Sequence, residues 1–268
     1  MVRHPAVAGS FYPANPDVLL EQVQRFTAHG DEKLAALGCV VPHAGYMYSG
    51  PVAGAVYGHL ALPQRFIILC PNHTGRGQPL AVNSEGAWQT PLGEARIDSA
   101  LAASLKAQFP LITEDDEAHR SEHALEVQLP FLQARLRQFS FVPIAIGTGQ
   151  FEVLAALGEV VARVIQESGE RVLIIASSDM NHYEPDDVTR MKDDLAIRAI
   201  LALDPRGLFD VVREKHVSMC GYGPTVAMLT AAKRMGASSA QLIRYATSGD
   251  VSGELDWVVG YAGIVVSS

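Results

Sequence analysis

The chain has 268 residues, 48% hydrophobic and 19% charged, with 29 acidic and 21 basic side chains and a net charge of −8. This is a globular composition, long enough to bury a large core. The acidic balance, with no basic stripe interleaved with aromatics, argues against nucleic-acid binding and against attraction to anionic lipid.

The first stretch, MVRHPAVAGSFYPANP, has no apolar run of signal-peptide length. No segment approaches the roughly 18 apolar residues of a membrane span. Three cysteines, Cys39, Cys70 and Cys220, are too few and too odd in number for a disulfide framework. They point to a reducing, cytoplasmic setting, where a cysteine with a role is a free thiol or a metal ligand.

In chain order, short β-branched runs alternate with amphipathic ones. Leu37–Val41 is the first predicted buried strand, and a helix is predicted from Pro51 to about His59. Phe66–Leu69 is the next strand, followed by helices at Ala100–Gln108 and Leu125–Gln138. The acidic run Glu114–Glu117 reads as a solvated loop. Phe141–Ile146 and Val172–Ala176 are further strands, separated by a helix over Phe151–Ser168 whose apolar residues recur every three and four positions. A helix over Val188–Leu203 and late strands at Gln241–Ala246 and Trp257–Val266 complete the pattern. No linker, repeat or low-complexity tract interrupts it. The expectation is one α/β domain, residues 1–268, with a central, mostly parallel β-sheet flanked by helices.

In such sheets ligands bind beyond the carboxyl ends of the strands. Three of the nine histidines fall there: His43 after the first strand, His73 after the second and His182 after Val172–Ala176. One could be there by chance as an ordinary hydrogen-bonded loop residue. Three at equivalent positions point to one shared polar site, for a metal or for acid–base chemistry.

Two other segments are chemically dense. Arg120–Glu126 reads as the opening of a helix with Glu122 and Glu126 on one face and His123 between them, either a capping turn or part of the site. Cys220 precedes a helix, a position that lowers a thiol pKa and suits a metal ligand or reactive group. Cys39 and Cys70 sit in apolar strands and read as small hydrophobes. Phosphate-loop, dinucleotide-loop, H-E-x-x-H, C-x-x-C and G-x-S-x-G signatures are absent.

Together, Arg3–Tyr12, Pro42–Gly50, Pro71-Asn72-His73, Glu122–Glu126, Ser177-Ser178-Asp179 with His182, and Cys220-Gly221 resemble the Memo family. Bacterial and archaeal members are often labelled AmmeMemoRadiSam system protein B. The family is similar in fold to the class III extradiol dioxygenases, which hold non-haem Fe(II) with two histidines and a glutamate.

The resemblance implies His43 and His73 as metal ligands and Cys220 in place of the carboxylate. It implies His182 as the acid–base histidine with Asp179 beside it, and Glu122 and His123 in or near the pocket. A thiolate is softer than a carboxylate, so iron is the favoured single ion but zinc or copper fits the donors, and ring-cleaving activity does not follow from the fold.

Three functions compete on this reading. One is a metal-dependent, oxidoreductase- or dioxygenase-like enzyme. Another is a binding module for a peptide or small molecule, with Tyr12, Tyr46, Tyr48 and Trp88 either as aromatic walls or as ordinary packing. The last is a partner of a radical-SAM protein and an AMMECR1-like protein, to which the family label points.

Overall fold

In the computed structural model, which describes residues 2–28 and 33–268, the predicted apolar runs form the body of one mixed sheet. Six strands make up that body: β1 (Gly38–Val41), β2 (Arg65–Pro71), β3 (Ser140–Ile146), β4 (Val172–Ser177), β5 (Ser239–Thr247) and β6 (Val258–Ser267). The four strands β3, β2, β4 and β1 lie side by side in that order, and all run parallel. β6 is antiparallel to β1, and β5 is antiparallel to β6. The short strand His182–Glu184 ends the sheet on that side, antiparallel to the start of β6. On the other side come Gly93–Ile97, Ala87–Thr90 and Val2–Arg3.

The parallel strands are buried on both faces, which is why they read as unbroken apolar runs rather than alternating ones. Along β2, Ile67 and Leu69 face one core layer while Phe66, Ile68 and Cys70 face the other. The first layer packs against α3 (Ser99–Gln108), α5 (Phe151–Ser168), α6 (Asp186–Leu201), α7 (Pro205–Glu214) and α8 (Tyr222–Arg234). The second packs against α1 (Pro16–Thr27), α2 (Tyr46–His59) and α4 (Leu129–Arg135). Cys39 and Cys70 are fully buried strand residues. Among the described residues, no helix is long and apolar enough to cross a membrane.

Two helices differ from expectation. α2 begins at Tyr46 instead of Pro51, so Pro51 lies inside it. Gly50 and Gly54 let this helix lie directly against Phe26 of α1, where a Cβ at Gly50 would overlap the ring and one at Gly54 the Phe26 Cβ and backbone. That close contact favours extending the helix past a proline which removes one of its hydrogen bonds.

The helix expected over Leu125–Gln138 is shorter. Residues 121–125 form an irregular turn, Glu126–Gln128 a single 3-10 turn, and only Leu129–Arg135 is α-helical. The Glu122 side chain accepts the Ala124 N–H (2.8 Å), a local bond that competes with helix formation. Glu122 and Glu126 therefore do not share an exposed helical face; both are fully buried.

α6 carries one buried carboxyl, Asp193, to the edge of the sheet. It accepts the Asn181 N–H (2.8 Å) and the Tyr245 hydroxyl (2.7 Å) and lies so close over Gly260 that no Cβ fits there. Burial pushes its pKa up to about 7. A folded pKa above the unfolded value of about 3.9 gives stability that is complete below that value and is lost as pH rises through the folded pKa. Asp193→Asn should therefore lose less stability than wild type between pH 5 and pH 8, by an amount on the order of a few kcal/mol. Denaturant unfolding at the two pH values measures this, and equal losses in both proteins would refute it.

Candidate metal centre

Three neighbouring parallel strands end at the same place, and the turn after each supplies polar groups. β1 leads into Pro42-His43, β2 into Asn72-His73 and β4 into Ser178-Asp179. The irregular turn 121–125 enters from the side with Glu122 and His123.

His43 is buried, and its hydrogen bonds determine its tautomer. Its Nδ1 lies 3.0 Å from Ser177 Oγ. That hydroxyl donates its only proton to the Ala124 carbonyl. It also accepts Gln128 Nε2 (2.8 Å), whose orientation is set because the same nitrogen donates to the Pro42 carbonyl (3.0 Å). Ser177 can therefore only accept from His43, so Nδ1 carries the proton and Nε2 is left with a lone pair. Burial, followed by the neighbouring His73, His123 and His182, holds its pKa well below the ordinary imidazole value, so the ring stays neutral.

His73 reaches the same state by another route. Its Nδ1 is 2.9 Å from Glu122 Oε1, and its backbone N–H donates to Glu122 Oε2 (2.6 Å). A carboxylate only accepts, so again Nδ1 is protonated, and in the neutral ring Nε2 is free. Burial opposes the charge on both groups, but their pairing outweighs it. The His73 pKa is raised, and that of Glu122 is lowered, with the Ala124 and His73 N–H groups adding to the effect.

His123 joins these two. Its ring stacks on His73 at 4.8 Å and 17°, stands edge-on to His43 at 5.5 Å and is backed by Phe11 at 4.7 Å. Each of the three histidines offers a ring nitrogen, and those atoms lie within 4.8 Å of one another. Cys220 places its sulfur 3.1 Å from His43 Nε2 and 3.7 Å from the Asp179 carbonyl. The donors suit a borderline or soft cation: three neutral-capable imidazoles, with a thiol in contact with one free lone pair.

The other expected residues occupy different places. Asp179 is buried and accepts the His43 N–H (2.7 Å) and that of Ala44. It shapes the His43 turn, and burial pushes its pKa up to about 7. The ring of His182 bonds elsewhere, Nδ1 to the Ser218 carbonyl at 2.9 Å. His182 is still near enough to the cluster for its charge to act on His43.

The lowered thiol pKa expected for Cys220 is not found. Burial, then the nearby Asp179, raises it, outweighing the hydrogen bonds that favour the thiolate. Tyr12, Tyr46 and Trp88 are buried packing residues; their polar atoms go to Glu126, the Val127 carbonyl and Asn83. Tyr48 remains half-buried. A cavity of about 290 Å³, lined by His73, Thr148, Cys220 and Tyr222 among others, opens beside the cluster and is large enough for a small molecule.

Sequence reasoning missed Ser177, Gln128 and Arg3 as supports. Arg3 donates to the carbonyls of His119 and Glu122 (both 2.8 Å) and to Glu126 (2.7 Å), fastening the turn that carries His123. Arg3 and Ser177 lay within segments of the family pattern, Arg3–Tyr12 and Ser177-Ser178-Asp179, the one available signal for them.

Fold and site together define an α/β protein with a histidine cluster at the carboxyl ends of a parallel sheet. A family model described as Memo-like protein matches residues 3–265. MEMO1 family proteins of Methanopyrus kandleri and Methanosarcina barkeri are each 44% identical to the chain. They align over 99% of it and over 99% and 100% of their own lengths. The chain belongs to the Memo family. An uncharacterized protein of Escherichia coli K12, 15% identical, shares the fold with a TM-score of 0.60 over 85% of this chain and 98% of its own.

Gly221 tests the geometry. An added Cβ would overlap the Ser177 carbonyl and Ser178, both fixed at the end of β4. Gly221→Ala should cost about 1–3 kcal/mol and draw Cys220 away from His43. Denaturant unfolding and the alkylation rate of Cys220 measure the two effects. Wild-type stability combined with wild-type labelling would contradict this account.

Proposed function

We propose that this Memo family protein is a mononuclear metalloprotein acting on a small molecule in the cavity beside the cluster. His43, His73 and Cys220 would hold the ion, with His123 as the neighbouring fourth donor. The observation that carries this reading is the pair of tautomers at His43 and His73. Each ring has its Nδ1 proton engaged by a buried acceptor, which presents the Nε2 lone pair as a ligand nitrogen requires. The site also holds a buried carboxylate, Glu122, that favours a nearby cation.

A bound ion would supply Lewis acidity and, as iron or copper, one-electron chemistry of an oxidoreductase or oxygenase type. The residues around it have separate tasks. Glu122 orients His73, and Ser177 with Gln128 orients His43. His182, whose pKa burial lowers, would be the nearby base that takes up a proton during turnover.

Elemental analysis of untagged protein after incubation with Fe(II), Zn(II) or Cu(I) tests the reading. Wild type should retain one equivalent and His43→Ala none. Trace metal in both would end the proposal. Glu122→Gln should weaken metal binding about 10- to 100-fold, the usual effect of losing the group that orients a ligand histidine.

The three-histidine grouping favours a second ligand set, His43, His73 and His123. Cys220→Ser and His123→Gln separate the two. If Cys220 is the ligand, its variant suffers the larger loss of affinity, and metal protects Cys220 from alkylation. Equal labelling with and without metal would assign the third position to His123.

A further inference from the structure

Beneath His182 lies a polar network that neither the cluster nor the cavity uses. Asn181 is fully buried, and every polar atom it has is engaged. Its Oδ1 accepts the Ser218 N–H and meets the Ser218 hydroxyl, both at 3.0 Å. An N–H can only donate, so the amide orientation is fixed with the oxygen toward Ser218. Its Nδ2 donates to Glu184 (2.7 Å) and Thr189 (3.3 Å). Its backbone N–H goes to Asp193 (2.8 Å), and its carbonyl accepts Gly260 N–H (2.9 Å). Tyr245 donates to the other Asp193 oxygen (2.7 Å).

Ser218, so held, bonds His182 through both its hydroxyl and its carbonyl, and the hydroxyl also lies 3.3 Å from the His182 carbonyl. The Ser218 hydroxyl oxygen accepts the His182 backbone N–H (2.7 Å), and the Ser218 carbonyl accepts from the ring at Nδ1 (2.9 Å). A carbonyl accepts only, so the proton of the neutral ring resides on Nδ1 and Nε2 is basic. The chain of contacts runs from Tyr245 through Asp193 and Asn181 to Ser218 and ends on the imidazole.

We propose that Asn181 is a positioning residue: it holds Ser218 so that His182 keeps its Nδ1–H tautomer and presents Nε2 as a base, with Asp193 and Tyr245 anchoring Asn181 from behind. This rests on the reading of His182 as the proton-handling group. It extends that reading by assigning the base nitrogen and the residues that fix it. The network is an expensive way to join these segments if structure were its only purpose. Buried polar groups add little net stability and demand that every partner be present.

Long-range proton–nitrogen correlation spectra of the 15N-labelled full chain report imidazole tautomers directly. The His182 signals are identified by their loss in His182→Gln. Wild type should show a protonated-type Nδ1 and a bare Nε2. In Asn181→Ala, the ratio of Nδ1–H to Nε2–H tautomer should fall about fivefold to tenfold, the scale of one lost hydrogen bond.

Ser218→Ala keeps the carbonyl and Asn181 and removes only the hydroxyl; it should lower the ratio less, and Ser218→Thr should restore it. An Nε2–H tautomer in wild type would overturn the proposal. So would a wild-type ratio in a folded Asn181→Ala protein, or, if that variant does not fold, in Ser218→Ala. Failure of the metal reading shows instead as absent metal in wild type, whatever the His182 tautomer.

Discussion

Burying the Glu122 carboxylate constrains everything around it. A charge taken out of water must be met by donors or it is lost to protonation. Here the Ala124 N–H and both the backbone and the ring of His73 meet it. Satisfying that one group sets the His73 tautomer, folds residues 121–125 into a turn instead of a helix, and brings His123 to 3.5 Å from the same carboxylate. Burial, helped by neighbouring imidazoles, lowers the pKa values of His43 and His123, while pairing with Glu122 raises that of His73. On the metal reading, one anion beside two bases that resist protons would favour a metal cation over a hydrogen ion.

Glu126 does for the backbone what Glu122 does for the site. It accepts Arg3, the N–H groups of Ala6 and Val7, and the Tyr12 hydroxyl at distances from 2.6 to 3.1 Å. Those bonds draw residues 3–12 across the turn that holds Glu122 and place Phe11 against His123. A segment more than a hundred residues away in sequence is thus one wall of the centre. The Glu126 carboxylate is satisfied only with residues 3–12 in place, which ties the two segments together.

What could be read from the sequence followed the strength of the local signal. β2, β3 and β4 were legible because double-sided burial writes continuous β-branched runs, and α5 because its apolar stripe is regular and Gly169 ends it in a left-handed conformation. His43 and His73 were legible because strand ends are where such sheets bind.

Tertiary context hid the rest. The buried state of Glu122 and Glu126 cannot be told from a solvated first turn by spacing alone. The start of α2 depended on Gly50 and Gly54 meeting Phe26. The thiol of Cys220 was expected to be acidified by the helix that follows it, yet burial wins, since the helix end offers a fraction of a charge while desolvation acts on a whole one. Tautomers were beyond reach, because they depend on Ser177, Gln128 and Ser218, residues whose role exists only through their partners.

The placement of the two acids bears on the chemistry the centre can support. Here Glu122 spends its oxygens on His73 and Ala124, and Asp179 spends its own on the backbone of His43 and Ala44. Releasing either would strand buried N–H donors, at about 1–3 kcal/mol for each. On the proposed metal reading the Cys220 sulfur, among the described residues in contact with the histidine cluster, is therefore called on to supply an anionic donor. On the proposed reading its thiol proton departs as the ion arrives, which a raised pKa makes dependent on the cation's own field. On that reading the centre would favour ions that bind sulfur well, and ring-cleaving chemistry would not follow from the fold.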